Sequence, residues 1–176
     1  MTATREAPSL VPDFGDEVQR KICFICSKGN LDMAYPALIM ASGALTEGAE
    51  VDIFFTFWGL DMINQDTVDK LQFTMLGNTA MHMPGSSAHL PQGLAGLPGM
   101  TAFSTRMLKK QISAQQVPDV REFITLLHDM GARLWACKMS ADMGGLEKED
   151  LLDEVEGIIN VNEFIELSED AQVVFI

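Results

Sequence analysis

The sequence predicts a single three-layer α/β domain with a mostly parallel, flavodoxin-like sheet. Three observations predict it. The apolar runs "KICFIC", "VDIFFTFWG" and "ARLWAC" are continuous rather than alternating, as in strands buried on both faces. Helical spacing fills the stretches between them. The 176 residues suit one hydrophobic core.

Residues 1–18 mix Pro, Asp, Glu, Ser and Thr without periodicity and read as an N-terminal tail. The domain then spans residues 19–176. Its first strand is "KICFIC", followed by a helix from Asn30 to about Leu45, with Asn30 as cap and Asp32 in the first turn. The second strand, "VDIFFTFWG", completes a βαβ unit. "DTVDKLQFTML" has helical spacing at Val68, Leu71 and Met75. Residues 77–100 are rich in Gly, Pro, Met and His and read as a long loop. "TAFSTRMLKKQISAQQ" and "DVREFITLLHDMG" read as helices, the second closed by Gly131. The strand "RLWAC" leads into a turn, "KMSADMGG". "LEKEDLLDEV" and "NVNEFIELSED" read as helices, the latter capped by Asn160 or Asn162, and "AQVVFI" is a final strand.

The formal charge of −13 argues against nucleic acid and anionic membranes, because both demand clustered Lys and Arg. No apolar run reaches the roughly 18 residues of a membrane span. The first residues lack a basic region followed by an apolar one, so no secretory signal is expected. Three cysteines do not make a disulfide framework, and a reducing cytoplasm is the expected compartment. There is no G-x-G-x-x-G after the first strand and no phosphate-binding lysine motif. His82, His89, Met81 and Met83 match no metal pattern, so neither metal nor cofactor is expected. Met81, Met83, Leu94 and Leu97 instead suggest a loop buried in a homo-oligomer interface.

Cys23 and Cys26 form a C-x-x-C, but inside a strand. Positions i and i+3 of a strand face opposite sides, about 10 Å apart. A disulfide needs Cα atoms within about 7 Å, so these two should not pair. Cys23 reads as a buried apolar residue. Cys26 ends the strand beside Ser27, Lys28 and Gly29, either as a structural thiol or as a second reactive one. In open α/β sheets ligand chemistry collects at the carboxyl ends of strands. That rule singles out the residues after Cys26, then Phe57-Trp58-Gly59, then Cys137-Lys138-Met139-Ser140. Cys137 is either a reactive thiolate, favoured by turn N–H groups and Lys138, or a buried structural thiol. Trp58 either lines a pocket beside it or packs in the core.

The stretches "ICSKGNLDMAYPALIMASGALTEGAEVDIFFTFWGL", "GLPGM" and "LWACKMSADMGGLEKEDL" together resemble the DsrE/DsrF-like family of sulfur-relay proteins, in its branch with a longer Met- and Gly-rich middle segment. The resemblance covers residues 21–176. It implies a compact α/β fold in homo- or hetero-oligomers. It implies sulfane sulfur held as a persulfide on Cys137 and exchanged with a small TusA-like sulfur-carrier protein or a rhodanese. Lys138, Ser140, Lys28 and Trp58 are the candidates for stabilising the thiolate or binding substrate. Some relatives carry transmembrane segments in the middle region, which this chain lacks, so no stable membrane insertion is expected. Two alternatives stand beside the carrier: a thiol redox protein cycling a Cys26–Cys137 disulfide, and a flavodoxin-like module binding a nucleotide or flavin.

Overall fold

A computed structural model describes residues 20–78, 89 and 91–176. Five parallel strands form one sheet: β1 (Lys21–Cys26), β2 (Glu50–Phe55), β3 (Arg133–Cys137), β4 (Val155–Ile159) and β5 (Gln172–Phe175), in the order β4-β3-β2-β1-β5. The connections are α1 (Leu31–Thr46), α2 (Gln92–Ala95), α3 (Met100–Ala114), α4 (Val120–Asp129), α5 (Lys138–Gly144) and α6 (Val161–Leu167). Helices α1 and α4 pack on one face of the sheet over Phe24, Cys26, Val51, Ile53, Phe55, Leu134 and Ala136. The other face carries Cys23, Phe54, Trp135 and Cys137 under α6, where Phe164 stacks on Phe54 with ring centroids 4.4 Å apart. The three-layer parallel architecture is therefore as the continuous apolar runs require.

Alternation along β1 places its two cysteines in different layers: Cys26 under α1, Cys23 beneath α6. Both are free thiols. Burial, with Asp52 beside it, pushes the Cys23 thiol up to about 11. Substituting Cys23→Ser puts a hydroxyl into this layer. The protein should lose roughly 1–3 kcal/mol of stability if that hydroxyl is unpaired, measured by denaturant unfolding, while thiol chemistry elsewhere is unchanged.

Several elements differ from the sequence expectation. The second strand ends at Phe55, and Phe57–Met62 turns into a 3-10 helix. Continuous apolarity hides that boundary, because Leu60 and Met62 are buried as well. Only Val68–Lys70 is helical in "DTVDKLQFTML", as one 3-10 turn. The backbone beyond it finds tertiary partners instead. The Gln72 carbonyl accepts from the Leu31 N–H, while the Phe73 and Thr74 N–H groups donate to Thr105 Oγ1 and Asp32 Oδ1. Asp32 thus ties this segment to α1, and the Asn30 amide donates to Asp32 and Thr74 instead of capping the helix. "LEKEDLLDEV" keeps one 3-10 turn, Lys148–Asp150, closed by a reciprocal Glu147–Asp150 capping box. The strand β4 that follows was invisible in sequence, since Glu156 and Gly157 interrupt its apolar residues. Asn160 caps α6 with Glu163 in a second capping box.

Of the loop expected at residues 77–100, Met81, His82 and Met83 lie outside the described residues. Within it α2 forms, and Leu94 and Leu97 are exposed. No helix among the described residues is long and apolar enough to cross a membrane.

Candidate functional site

Cys137 is the last residue of β3 and the residue from which α5 starts. The expected turn after it is this helix, closed by Gly145 with φ 64°. The change matters chemically, because the first N–H groups of a helix have no partner within it. Cys137 is only 4% exposed. Burial alone raises its thiol. That effect is outweighed by the Ser140 hydroxyl and N–H, the Thr56 hydroxyl and the Met139 N–H, so the thiol lies below its ordinary value. Cys137 makes no regular side-chain capping bond to α5.

The donors are themselves held. Ser140 Oγ accepts from the Phe57 N–H at 2.9 Å and lies 3.2 Å from Thr56 Oγ1. With an N–H already donating to its oxygen, the Ser140 hydroxyl is free to turn its own proton to sulfur. Phe57 adopts φ 47°, a left-handed conformation that is uncommon for a bulky non-glycine residue. Tight packing of two loops accompanies this strain. A Cβ on Gly59 would stand 2.0 Å from the Cys26 carbonyl oxygen, and one on Gly29 would stand 2.2 Å from that of Trp58. The loop after β2 therefore lies directly on the loop after β1, and the Thr56 N–H donates to the Cys26 carbonyl at 2.9 Å.

Ser140 opens onto a cleft of about 170 Å³ lined also by Phe57, Trp58, Asp61, Met143 and Leu146. Its rim is apolar and exposed: Trp58 is 74% and Met143 72% accessible. Trp58 is therefore a rim residue rather than core. The described residues contain no cluster of His, Cys, Asp or Glu able to hold a metal ion. Neutral donors around a thiol of lowered pKa, with an apolar-rimmed cleft at one of those donors, Ser140, suit nucleophilic sulfur chemistry.

The other sequence candidates fall out differently. Lys138 Nζ pairs with Asp142 at 3.2 Å on the exposed side of α5, an arrangement that directs its charge to a carboxylate. Lys28 lines a separate cleft of about 540 Å³, which shares Trp58 and Asp61 with the first. Cys26 cannot reach Cys137. Strand β2 lies between their strands, which sets them about 9.6 Å apart at two strand spacings. They also face opposite layers of the sheet. That exceeds disulfide reach, so the Cys26–Cys137 redox alternative has no geometry to support it. Burial moreover pushes the Cys26 thiol up to about 12. Phe57 was singled out as a residue beyond the second strand, whereas Thr56 went unread because it lay inside the apparent run of β2.

The pH profile of Cys137 alkylation offers a direct check. A lowered thiol means that thiolate, and hence the alkylation rate, rises at lower pH than for an ordinary cysteine. Ser140→Ala removes one donor to the anion, so the inflection should move to higher pH. The rate at neutral pH should fall roughly tenfold, given about 1.5–3 kcal/mol for a hydrogen bond to a charged group.

Comparison with known proteins places the chain. The family model described as DsrE/DsrF/DrsH-like matches residues 18–176. Among curated proteins, the sulfur carrier protein DsrE2 of Allochromatium vinosum is 37% identical over 139 residues, covering 78% of this chain and 86% of that one. The uncharacterized protein YrkE of Bacillus subtilis is 26% identical over 141 residues, covering 80% and 86%. Among solved structures, the protein of unknown function MTH1491 from Methanobacterium thermoautotrophicum aligns with TM-score 0.53 at 10% identity, and the ychN protein of E. coli with 0.52 at 11%. Each alignment covers 89% of this chain and 99% of the other, and each speaks for the fold alone.

Proposed function

Because the chain belongs to the DsrE/DsrF/DrsH-like family, we propose that it is a sulfur carrier, holding sulfane sulfur as a persulfide on Cys137. The observation that carries this reading is the contrast among three cysteines in one fold. Cys23 and Cys26 are buried thiols pushed up to about 11 and about 12, whereas Cys137 lies below its ordinary value, held there by Ser140, which lines an apolar cleft. The DsrE2 relative, named a sulfur carrier, supports the sulfur-carrying role.

The chemistry needs no metal and no net redox change. The Cys137 thiolate attacks the outer sulfur of a donor persulfide. A new S–S bond forms at Cys137, the donor S–S bond breaks, and the donor leaves as a thiolate. The reverse step hands the sulfur to an acceptor thiolate. Ser140, Thr56 and the Met139 N–H stabilise the anion in both directions. A TusA-like sulfur-carrier protein or a rhodanese is the expected partner, in a reducing cytoplasm. The test is a mass spectrum of the intact protein after incubation with polysulfide. Mass should rise in steps of one sulfur atom and return on reduction. A protein that gains no mass, while its thiols remain free, rejects the reading.

Self-association belongs to the same proposal. Leu94 and Leu97 expose apolar surface on the segment expected to bury itself between copies. Light scattering at micromolar concentration should show an oligomer, and a monomer would reject this part.

A further inference from the structure

The chain's charge is not evenly spread. None of its 25 acidic residues lies between Asp69 and Asp119, whereas Lys70, Arg106, Lys109 and Lys110 all do. A protein of net charge −13 thus carries a positive segment, residues 70–118. The described residues Lys70, Arg106 and Lys109 of this segment connect through a row of clefts to Ser140, the neighbour of Cys137. The cleft beside Ser140 shares Trp58 and Asp61 with the one lined by Lys28 and Lys70. That one in turn shares Lys70, Leu71 and Gln72 with a third, of about 310 Å³, lined by Arg106 and Lys109.

Lys28, Lys70, Arg106 and Lys109 are all exposed, and among the described residues none of them forms a salt bridge. Asp61 is the one carboxylate lining the two basic clefts among the described residues. The neighbouring Asp69 carboxylate is engaged by Arg121 at 2.8 Å. The row is therefore a basic groove ending at the apolar-rimmed cleft onto which Ser140 opens, three residues from the reactive thiol.

We infer that this groove docks an acidic protein partner, guiding the partner's sulfur to Cys137. The inference rests on the persulfide reading for its sulfur step. Charge complementarity selects an acidic surface, and a second copy, acidic as it is, brings no sulfur to this site because all three of its cysteines are buried. The position of the thiol selects a protein over a flat anionic surface. Cys137 is 4% exposed, so a partner must bring its sulfur in on a protruding element. In the transfer step the partner thiolate attacks the outer sulfur of the Cys137 persulfide. The S–S bond at Cys137 breaks, the partner becomes the persulfide, and Cys137 leaves as thiolate with no net oxidation.

The probes are short peptides with one cysteine each, glutamate-rich, glutamine-rich or lysine-rich. Binding is read by fluorescence anisotropy with the peptide cysteine alkylated, and transfer is read as its rate from persulfidated protein to the free peptide thiol. The glutamate peptide should bind and react roughly tenfold better than the glutamine peptide at low salt, and the advantage should vanish as salt rises. The double variant Lys70→Glu/Arg106→Glu changes two exposed side chains and should keep the fold and the loading of Cys137 by polysulfide. It should lose the preference for the glutamate peptide. Equal binding of all three peptides, or a preference that survives the double variant, overturns the inference. Binding to phosphatidylglycerol vesicles without binding to the glutamate peptide also overturns it, assigning the groove to a membrane. If Cys137 fails to load but the charge preference holds, the docking groove stands and the persulfide reading falls.

Discussion

A Cys137→Ser protein is expected to take up no sulfur from polysulfide, where wild type gains mass in reductant-sensitive steps. The effect should be complete, because a serine hydroxyl is not ionised near neutrality and forms no S–S bond. Replacing Cys137 leaves two thiols, and neither can substitute. Burial holds Cys23 and Cys26 at about 11 and about 12, so almost no thiolate exists at either near neutral pH. Cys23→Ser and Cys26→Ser proteins should accordingly load as wild type does, per folded molecule. The Cys26→Ser protein should also hand its sulfur on, since no disulfide with Cys137 takes part. Mass spectra of the three single variants, recorded beside thermal melts, separate loss of chemistry from loss of fold. Loading of Cys137→Ser at the wild-type level would remove the functional assignment altogether.

Gly59→Ala should give the second large effect. Its new Cβ would stand 2.0 Å from the Cys26 carbonyl oxygen, a backbone atom held by the Thr56 N–H. No side-chain rotation relieves that contact, so the loop after β2 must move. A cost of about 3 kcal/mol is expected, at the upper end of overpacking, which lowers Tm by roughly 6–12 °C in a chain of this size. The same movement displaces Thr56 and the Phe57 N–H, which steady Ser140 beside the thiolate. The Cys137 alkylation profile should therefore shift to higher pH in the surviving folded protein. Gly43→Ala provides the contrast. Gly43 sits on the exposed side of α1, nothing lies within 4 Å of the place a methyl group would take, and alanine is the better helix former. That variant should gain about 0.5–1 kcal/mol. A Gly59→Ala protein as stable as wild type would show that the two loops are not locked together.

Much of this molecule was legible in its sequence for reasons of local chemistry. Continuous apolarity identified β1, the start of β2, and β3, because strands covered on both faces have no polar side to show. The placement of a C-x-x-C within such a strand was enough to separate Cys23 from Cys26. The rule that chemistry collects at strand carboxyl ends brought out Cys137, Ser140 and Trp58 together. Local pattern misled where tertiary partners overrode it. The residues after Lys70 have helical spacing, yet their N–H groups bond to α3 and Asp32. The strand β4 carries a glutamate and a glycine, and it exists because β3 offers it a hydrogen-bonding edge.

By itself, then, the sequence determined the parallel α/β class, the strand that ends in Cys137 and the uneven distribution of charge, since each depends on residue type and spacing alone. Tertiary structure alone decided which groups surround that thiol. Strand order puts β2 between Cys26 and Cys137, and pleat sends them to opposite layers, so a resolving pair is ruled out by distance rather than by residue type. It also brings Thr56 and the strained Phe57 N–H to Ser140 across more than 80 residues of chain, a contact encoded in no local pattern. The acidity of a buried thiol is set by the few donors within reach of its sulfur, and only the folded chain brings those donors together.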